Sequence, residues 1–158
     1  MQHVVGISEM RVSNRRDDVL VTYSLGSCVG LALYDAVAVV GGLVHCMLPL
    51  AKTDPRRAEA NPQMFVDTGV AALLRALSDL GAETSRLIAK VAGAASVLDD
   101  KGIFRIGERN CAILREVLQE NEIPIAAEDV GGTKARTMFL RMATGEIVIK
   151  SAGKEVVL

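Results

Sequence analysis

The chain has 158 residues, of which half are apolar, and its 18 Lys and Arg residues nearly balance its 19 Asp and Glu residues. This length is typical of one domain with its own core, and the balanced charge argues against a surface built to bind nucleic acid or anionic membranes. With three cysteines, no C-x-x-C pair and two histidines, neither a disulfide framework nor a zinc site is indicated. We therefore expect a single domain spanning residues 1–158.

The amino-terminal residues Met1 to Gly6 contain no basic region followed by an apolar segment, so no signal peptide is predicted. The stretch from Val29 to Ala51 is long and apolar enough to resemble a membrane span. However, Tyr34-Asp35, Gly41-Gly42 and Pro49 divide it, and buried strands explain it better. We expect a protein that is not embedded in a membrane and that works in the reducing cytoplasm.

The first half of the chain is rich in predicted strands. Two strands are predicted at Val19 to Leu25 and Val29 to Tyr34, and they meet at a turn of Gly26, Ser27 and Cys28. One or two more are predicted within Val37 to Leu48. The next segment, Lys52 to Pro62, is charged and contains two prolines, which predicts an exposed loop. That loop is either a docking surface for a substrate or a passive connector.

The second half contains the predicted helices. Apolar residues recur at helical spacing from Val66 to Leu77, where Gly81 ends the helix, and again from Ile106 to Asn121. The remaining predicted strands are Arg86 to Ala92, Ile123 to Val130, and a hairpin of Thr137 to Met142 with Glu146 to Lys150. Hairpins with two principal helices predict an α+β fold of packed mixed or antiparallel sheets, rather than a doubly wound sheet.

The three cysteines differ in their surroundings. Cys111 lies in the apolar stripe of the second helix, which indicates a core position. Cys46 directly follows His45, so on a strand the two side chains point to opposite faces, and Cys46 is also predicted to be core. Cys28 lies in a turn of small residues, where its sulfur can reach the edge of a pocket. The simpler interpretation of Cys28 is a structural turn cysteine that a loop covers.

His45 is placed to act as the base for Cys28. A cysteine becomes a strong nucleophile when a nearby imidazole takes its proton, although a histidine on an apolar strand is also compatible with a core role. Thr22 lies on the strand before the turn, on the face expected for Ser24 and Gly26, and its hydroxyl can orient the imidazole. Threonine is also common in strands. The pattern predicts a cysteine hydrolase or transferase that acts on an acyl or amide carbon.

Three further features have plainer interpretations. Gly107 to Asn110 is a helix start, and Gly131 to Arg136 is a glycine turn with two cations that rims the active site. Neither matches a phosphate-binding loop. His3 is expected to be a terminal surface residue.

The residues now named resemble the chemoreceptor glutamine deamidases, the CheD family. The specific part consists of Thr22, Leu25 to Val29, Tyr34-Asp35, Gly41 to His45 and Met47 to Pro49. Collinear similarity continues through Phe65 to Thr68, Ala89 to Ala94, Ile106 to Asn110, Ile123 to Ile125, Asp129 to Gly132 and the final hairpin. Ala92 and Ala135 depart from the family pattern, and both lie outside the Cys–His block.

The resemblance implies a catalytic set of Cys28, His45 and Thr22. From the turn itself, we expect backbone N–H groups around Gly26 and Ser27 to bind the substrate or its oxyanion. It implies that particular glutamine side chains in the cytoplasmic region of chemoreceptors are converted to glutamate with loss of ammonia. It also implies a fold similar to deamidating bacterial toxins. The chemistry requires no metal or organic cofactor.

The resemblance further implies a partner, the CheC-type phosphatase of the phosphorylated response regulator, for a protein that is a monomer on its own. One alternative is therefore a non-catalytic module that binds and regulates this phosphatase. A thiol redox sensor is a weaker alternative, because no resolving cysteine lies at short spacing from Cys28.

Overall fold

A computed structural model describes residues 1–96 and 105–158. The strands of the described chain are β1 (Gln2–Val4), β2 (Met10–Ser13), β3 (Val19–Leu25), β4 (Val29–Asp35), β5 (Val40–Cys46), β6 (Ile88–Gly93), β7 (Ile125–Val130), β8 (Arg136–Arg141), β9 (Ile147–Ser151) and β10 (Lys154–Val157). The helices of the same residues are α1 (Pro55–Ala60), α2 (Val66–Asp79) and α3 (Ile106–Glu120). None of them is both long and apolar enough to cross a bilayer.

The strands form two mixed sheets. The outer sheet has the order β1-β3-β8-β9-β10, and the central sheet has the order β2-β5-β4-β6-β7. Most neighbours are antiparallel, whereas β1 with β3 and β6 with β7 are parallel pairs. The predicted α+β fold with mixed sheets and two principal helices is confirmed.

Two apolar cores hold the two sheets and the helices together. The central sheet contributes to both cores, because side chains on a strand alternate between the two faces of its sheet. One core fills the space between the two sheets and includes Leu20, Leu25, Leu43 and Met138. The other lies between the central sheet and the helices. Its members include Leu31, Val44, Val70, Leu73, Leu114 and Leu118. The central sheet is therefore buried on both faces, which explains why β4 and β5 contain so few polar residues.

The predicted end of α2 at Gly81 is confirmed. Gly81 has a φ of +99°, and its N–H donates to the carbonyl of Ser78 at 3.0 Å. The N–H of Ala82 donates to the carbonyl of Leu77 at 3.0 Å. This is the paired capping pattern that a left-handed residue produces after a helix.

The connection between β3 and β4 differs from the sequence-based expectation. The two strands are not paired, because β3 belongs to the outer sheet and β4 to the central sheet. Residues Gly26 to Cys28 therefore form a corner that passes from one sheet to the other. The short strands β1, β2 and β10 were also not predicted from the sequence.

The charged segment from Lys52 to Pro62 is exposed, as predicted, but it is not an irregular loop. It contains α1, which begins at Pro55, and short 3₁₀ turns flank this helix. Asp54 caps the helix, since its carboxylate accepts a hydrogen bond from the Arg57 N–H at 3.3 Å. An Asp-Pro pair is a common helix start, because proline lacks the N–H that the first helical position leaves unpaired.

Candidate active site

His45 lies on β5 and is fully buried between the two sheets. Its Cα partner on β4 is Gly30, where a Cβ would press against the side chains of Leu25 and Met138. Leu43, two residues earlier and therefore on the same face, belongs to the core between the sheets. Cys46 belongs to the core under the helices. The predicted opposite orientation of His45 and Cys46 is confirmed, and Cys111 is likewise buried in the helical core.

Cys28 lies at the end of the sheet-crossing corner, two residues before Gly30. It is partly exposed, and it packs against the core between the sheets, on the side of the central sheet that also holds His45. Cys46 and Cys111 are buried, so Cys28 is the most accessible of the three cysteines. The fold thus places one accessible thiol and one buried imidazole at the same end of the space between the sheets.

Thr22 determines the tautomer of His45. The Thr22 hydroxyl donates a hydrogen bond to the Val5 carbonyl at 2.7 Å, and its oxygen lies 2.7 Å from His45 Nδ1. A hydroxyl has only one hydrogen to donate, so Nδ1 must carry a proton and donate it to Thr22. Nε2 of His45 therefore has the free lone pair. It is buried and makes no hydrogen bond to any described residue.

A β-bulge places Thr22 in this position. Thr22 pairs with Met138 and Leu25 pairs with Arg136, so β3 has one more residue than β8 across this interval. Ser24 lies within this bulge, and its φ of +59° is in the left-handed region. Thr22 and Leu25 consequently both point into the core, while Ser24 is exposed. The expectation that Thr22 and Ser24 share a face is wrong, because the bulge interrupts the alternation.

Burial keeps both reactive groups neutral at rest. It lowers the pKa of His45 to about 4, so the imidazole is uncharged at neutral pH. It also raises the pKa of the Cys28 thiol, an effect that the backbone N–H of the same residue partly offsets. The arrangement therefore favours a thiol whose proton leaves during attack, with neutral His45 as the base, over a standing thiolate–imidazolium pair.

Each of the three carbonyl groups of the corner accepts a hydrogen bond. The Ala95 N–H donates to Gly26 and the Ala94 N–H to Cys28, both at 2.8 Å, and the side-chain amide of Asn110 donates to Ser27 at 3.0 Å. In a trans peptide the N–H of the next residue points away from the carbonyl. The N–H groups of Ser27 and Cys28 are thus held opposite these contacts, and neither donates to a backbone carbonyl of a described residue.

The end of β6 packs against the corner formed by Gly26 to Cys28. Gly93 has a φ of +108°, and a Cβ at this position would overlap the Cys28 carbonyl oxygen. Only glycine satisfies both the backbone angle and the close approach. The turn from Gly131 to Arg136 contacts the same strand end, since the N–H of Gly131 and the guanidinium of Arg136 both donate to the Gly93 carbonyl. The turn therefore lies beside the strand end that contacts Cys28, and its place at the rim of an active site stays a prediction.

Sequence inspection missed Asn110 as a residue of the site. Its side chain is fully buried in the first half of α3, where it occupies a position of the apolar stripe. An asparagine at a core position of an amphipathic helix is the signal that could have identified it, because buried amides require partners. His3 was also misjudged. It lies on β1 with 17% of its side chain exposed, and its Nε2 is 3.3 Å from a carboxylate oxygen of Asp18.

Comparisons with known proteins point to one family. A family model described as CheD chemotactic sensory transduction matches residues 47–151. A protein of Syntrophus aciditrophicus named probable chemoreceptor glutamine deamidase CheD 1 is 46% identical, covering 95% of this chain and 94% of its own. Proteins named probable chemoreceptor glutamine deamidase CheD are similar as well. The one from Solibacter usitatus is 44% identical over 98% of this chain and 91% of its own, and the one from Symbiobacterium thermophilum is 46% identical over 95% and 92%.

Among solved structures, the hypothetical protein YfiH of Bacillus licheniformis superposes with a TM-score of 0.47 and 17% sequence identity. The superposition covers 77% of this chain and 49% of that one, so this chain spans about half the length of YfiH. A likeness of this degree says nothing about activity.

Proposed function

The chain belongs to the CheD family, and from this membership we propose that it hydrolyses the side-chain amide of glutamine residues in chemoreceptors. The products are a glutamate side chain and ammonia. Two findings support this: the names of relatives that are similar over nearly the whole chain, and a partly exposed cysteine on the same side of the central sheet as a buried imidazole.

In the proposed first half-reaction, the Cys28 sulfur attacks the δ-carbon of the glutamine amide while its proton moves to His45 Nε2. The carbonyl oxygen becomes an oxyanion, which the N–H groups of Ser27 and Cys28 stabilise, and Gly26 provides the space for its approach. The carbon–nitrogen bond then breaks as His45 returns the proton to the leaving nitrogen. Ammonia departs and a thioester remains on Cys28.

In the second half-reaction, a water molecule gives a proton to His45 Nε2 and attacks the thioester carbon. The carbon–sulfur bond breaks, the protonated imidazole returns its proton to the sulfur, and the glutamate side chain is released. The net reaction consumes one water per glutamine, and its steps require only side chains and backbone groups of the protein. The hydroxyl of Thr22 stabilises the transient imidazolium by accepting from Nδ1 throughout.

The observation that supports this assignment most is the free lone pair of His45 Nε2, buried on the same side of the central sheet as Cys28. The test is incubation with the purified cytoplasmic fragment of a chemoreceptor, followed by peptide mass analysis for amide-to-acid conversion and by ammonia measurement. Cys28→Ala should lose at least about a hundredfold in rate. Cys46→Ala and Cys111→Ala remove buried thiols elsewhere and should retain the activity. An inactive but folded Cys46→Ala protein would contradict the assignment.

We further propose that the protein acts in the cytoplasm as a monomer and binds a CheC-type phosphatase, as the family resemblance implies. A non-catalytic regulatory role would need only this binding. Titrating the phosphatase with wild-type protein and with Cys28→Ala separates the two roles, because the variant lacks the chemistry but keeps the surface. Absence of binding by either protein would remove the partner from the proposal.

A further inference from the structure

The buried amide of Asn110 joins the two chain segments that carry the reactive groups. Its Nδ2 donates to the Ser27 carbonyl at 3.0 Å and to the Met47 carbonyl at 3.1 Å. Ser27 directly precedes Cys28, and Met47 lies two residues after His45. Both acceptors are carbonyls, which cannot donate, so the nitrogen rather than the oxygen of the amide must face them.

The bond to Ser27 acts on a particular group of the site. The Ser27 carbonyl and the Cys28 N–H belong to the same planar peptide unit and point in opposite directions. Holding the carbonyl against Asn110 therefore fixes the direction of the Cys28 N–H. That N–H is one of the two groups proposed to bind the oxyanion, and its contribution depends on being aimed before the charge develops.

This contact is retained at an energetic cost. The Oδ1 atom of Asn110 is buried and has no hydrogen-bond partner among the described residues. An unpaired buried acceptor destabilises a protein, because it loses its hydrogen bonds to water on folding and gains none in return. An apolar side chain at this position of the α3 stripe would avoid that cost, but it would leave the carbonyls of Ser27 and Met47 without their donor.

We propose that Asn110 is a positioning residue for the deamidation reaction, which holds the Ser27–Cys28 peptide so that the Cys28 N–H faces the developing oxyanion. The inference rests on the proposed function and adds a residue to it. Asn110 itself does not contact the substrate. Its removal should therefore lower kcat while leaving KM nearly unchanged, because substrate docking does not involve the oriented N–H.

Two reactions of Cys28 separate this role from general damage to the site. Deamidation creates an oxyanion, whereas alkylation of the thiol by iodoacetamide displaces iodide at a saturated carbon and creates none. Asn110→Leu, which is similar in size but has no donor, should lower kcat for a receptor fragment about 10- to 100-fold. The rate of alkylation should fall far less than kcat, since His45 and its contact with Thr22 are untouched and the Cys28 N–H offsets only part of the effect of burial on the thiol.

Asn121→Leu is the matched control. Asn121 is exposed at the end of the same helix, and its Nδ2 also donates to a backbone carbonyl, that of Val117, at 2.8 Å. This variant should keep wild-type kcat. Asn110→Ser, which retains a single donor, is the second variant and should give a kcat between those of Asn110→Leu and wild type.

The outcomes are distinct. Inactive wild-type protein would overturn the proposed function and this inference together. Active wild type with a fully active Asn110→Leu protein would overturn the inference alone, as would a parallel loss of deamidation and alkylation. Failure of both Asn110 variants to fold would also overturn it, because the contribution of Asn110 would then be to global stability. A selective loss of kcat in a folded variant supports it.

Discussion

At the scale of single residues, the contact between Thr22 and His45 decides which imidazole nitrogen has a free lone pair. Thr22 donates to Val5 and so accepts from Nδ1, which leaves the lone pair of Nε2 for the thiol. Burial then makes the imidazole a base that is neutral at rest and charged only in passing. In the proposed reaction the positive charge is therefore created only during proton transfer, when the hydroxyl of Thr22 stabilises it most.

The buried imidazole should make stability depend on pH. The pKa of His45 falls from 6.5 in the unfolded chain to about 4 in the folded protein, so the unfolded chain binds more protons between these values. The free energy of unfolding should therefore decrease as pH falls from about 6.5 to 4, by a total of about 3 kcal/mol. Urea denaturation at several pH values measures it. The difference between wild type and His45→Gln isolates the effect, and an identical pH profile for the two proteins would contradict it.

Replacing Thr22 with valine should slow the reaction less than replacing His45. Valine has nearly the same shape but cannot accept from Nδ1, and a hydrogen bond to a charged group is worth about 1.5–3 kcal/mol. We therefore expect kcat to fall about 10- to 150-fold in Thr22→Val, with KM unchanged. Steady-state kinetics on a receptor fragment gives both values. If Thr22→Val were as inactive as His45→Gln, the hydroxyl would have a more direct role than orientation.

At the scale of elements, the strands and helices with strong apolar patterns could be predicted from the sequence. β3 runs from Val19 to Leu25, as predicted, and the other main elements differ from their predicted bounds by a few residues. The missed strands lack such a pattern: all four residues of β10 are exposed, and β1 and β2 are short edge strands. The pairing of β3 with β8 instead of β4 depends on long-range contacts that no local pattern contains.

The positions of the candidate site residues could be predicted in part for the same reason. Cys28 and His45 stand out by residue type and spacing, and Thr22 precedes them on a recognisable strand. The contribution of Asn110 depends on the packing of α3 against the corner, which is invisible in the periodicity of the helix itself. The bulge at Ser24 was also hidden, because a serine carries no strong preference for a left-handed conformation.

The short helix α1 remains the best candidate for contact with a receptor. Arg57 pairs with Asp54 at 3.6 Å, whereas Arg56 has no ion pair with a described residue. Arg56→Glu should therefore raise KM for a receptor fragment about two- to tenfold at low salt, and the effect should shrink as salt is added. Arg75→Glu makes the same charge change on an exposed position of α2 and should leave KM unaltered. Equal KM values for the two variants would make α1 a passive connector.

At the scale of the whole molecule, the site is shared among layers. Thr22 belongs to the outer sheet, His45 to the central sheet and Asn110 to a helix beyond it. The core between the two sheets therefore determines the distance between the hydroxyl and the imidazole. Any relative movement of the sheets would change the reactive geometry before it broke either sheet.

If the chain is the single domain predicted from its length, activity and structure should disappear together. The midpoint of activity loss in urea should coincide with the midpoint of the loss of circular dichroism, as expected for a two-state transition. Both are measured after equilibration at each urea concentration. Activity that disappears at clearly lower urea would show that the site opens locally while the sheets remain intact.

The contact between Asn110 and Ser27 joins residues that are 83 positions apart in the chain. The ribosome therefore releases Cys28 and His45 long before α3, the helix whose Asn110 holds the chain segments next to them. Domains fold only as their parts emerge. The nascent protein holds a thiol and an imidazole but lacks the braced corner until α3 has left the exit tunnel. In the proposed mechanism, competence to attack an amide is thus acquired late in synthesis, after most of the chain has been made.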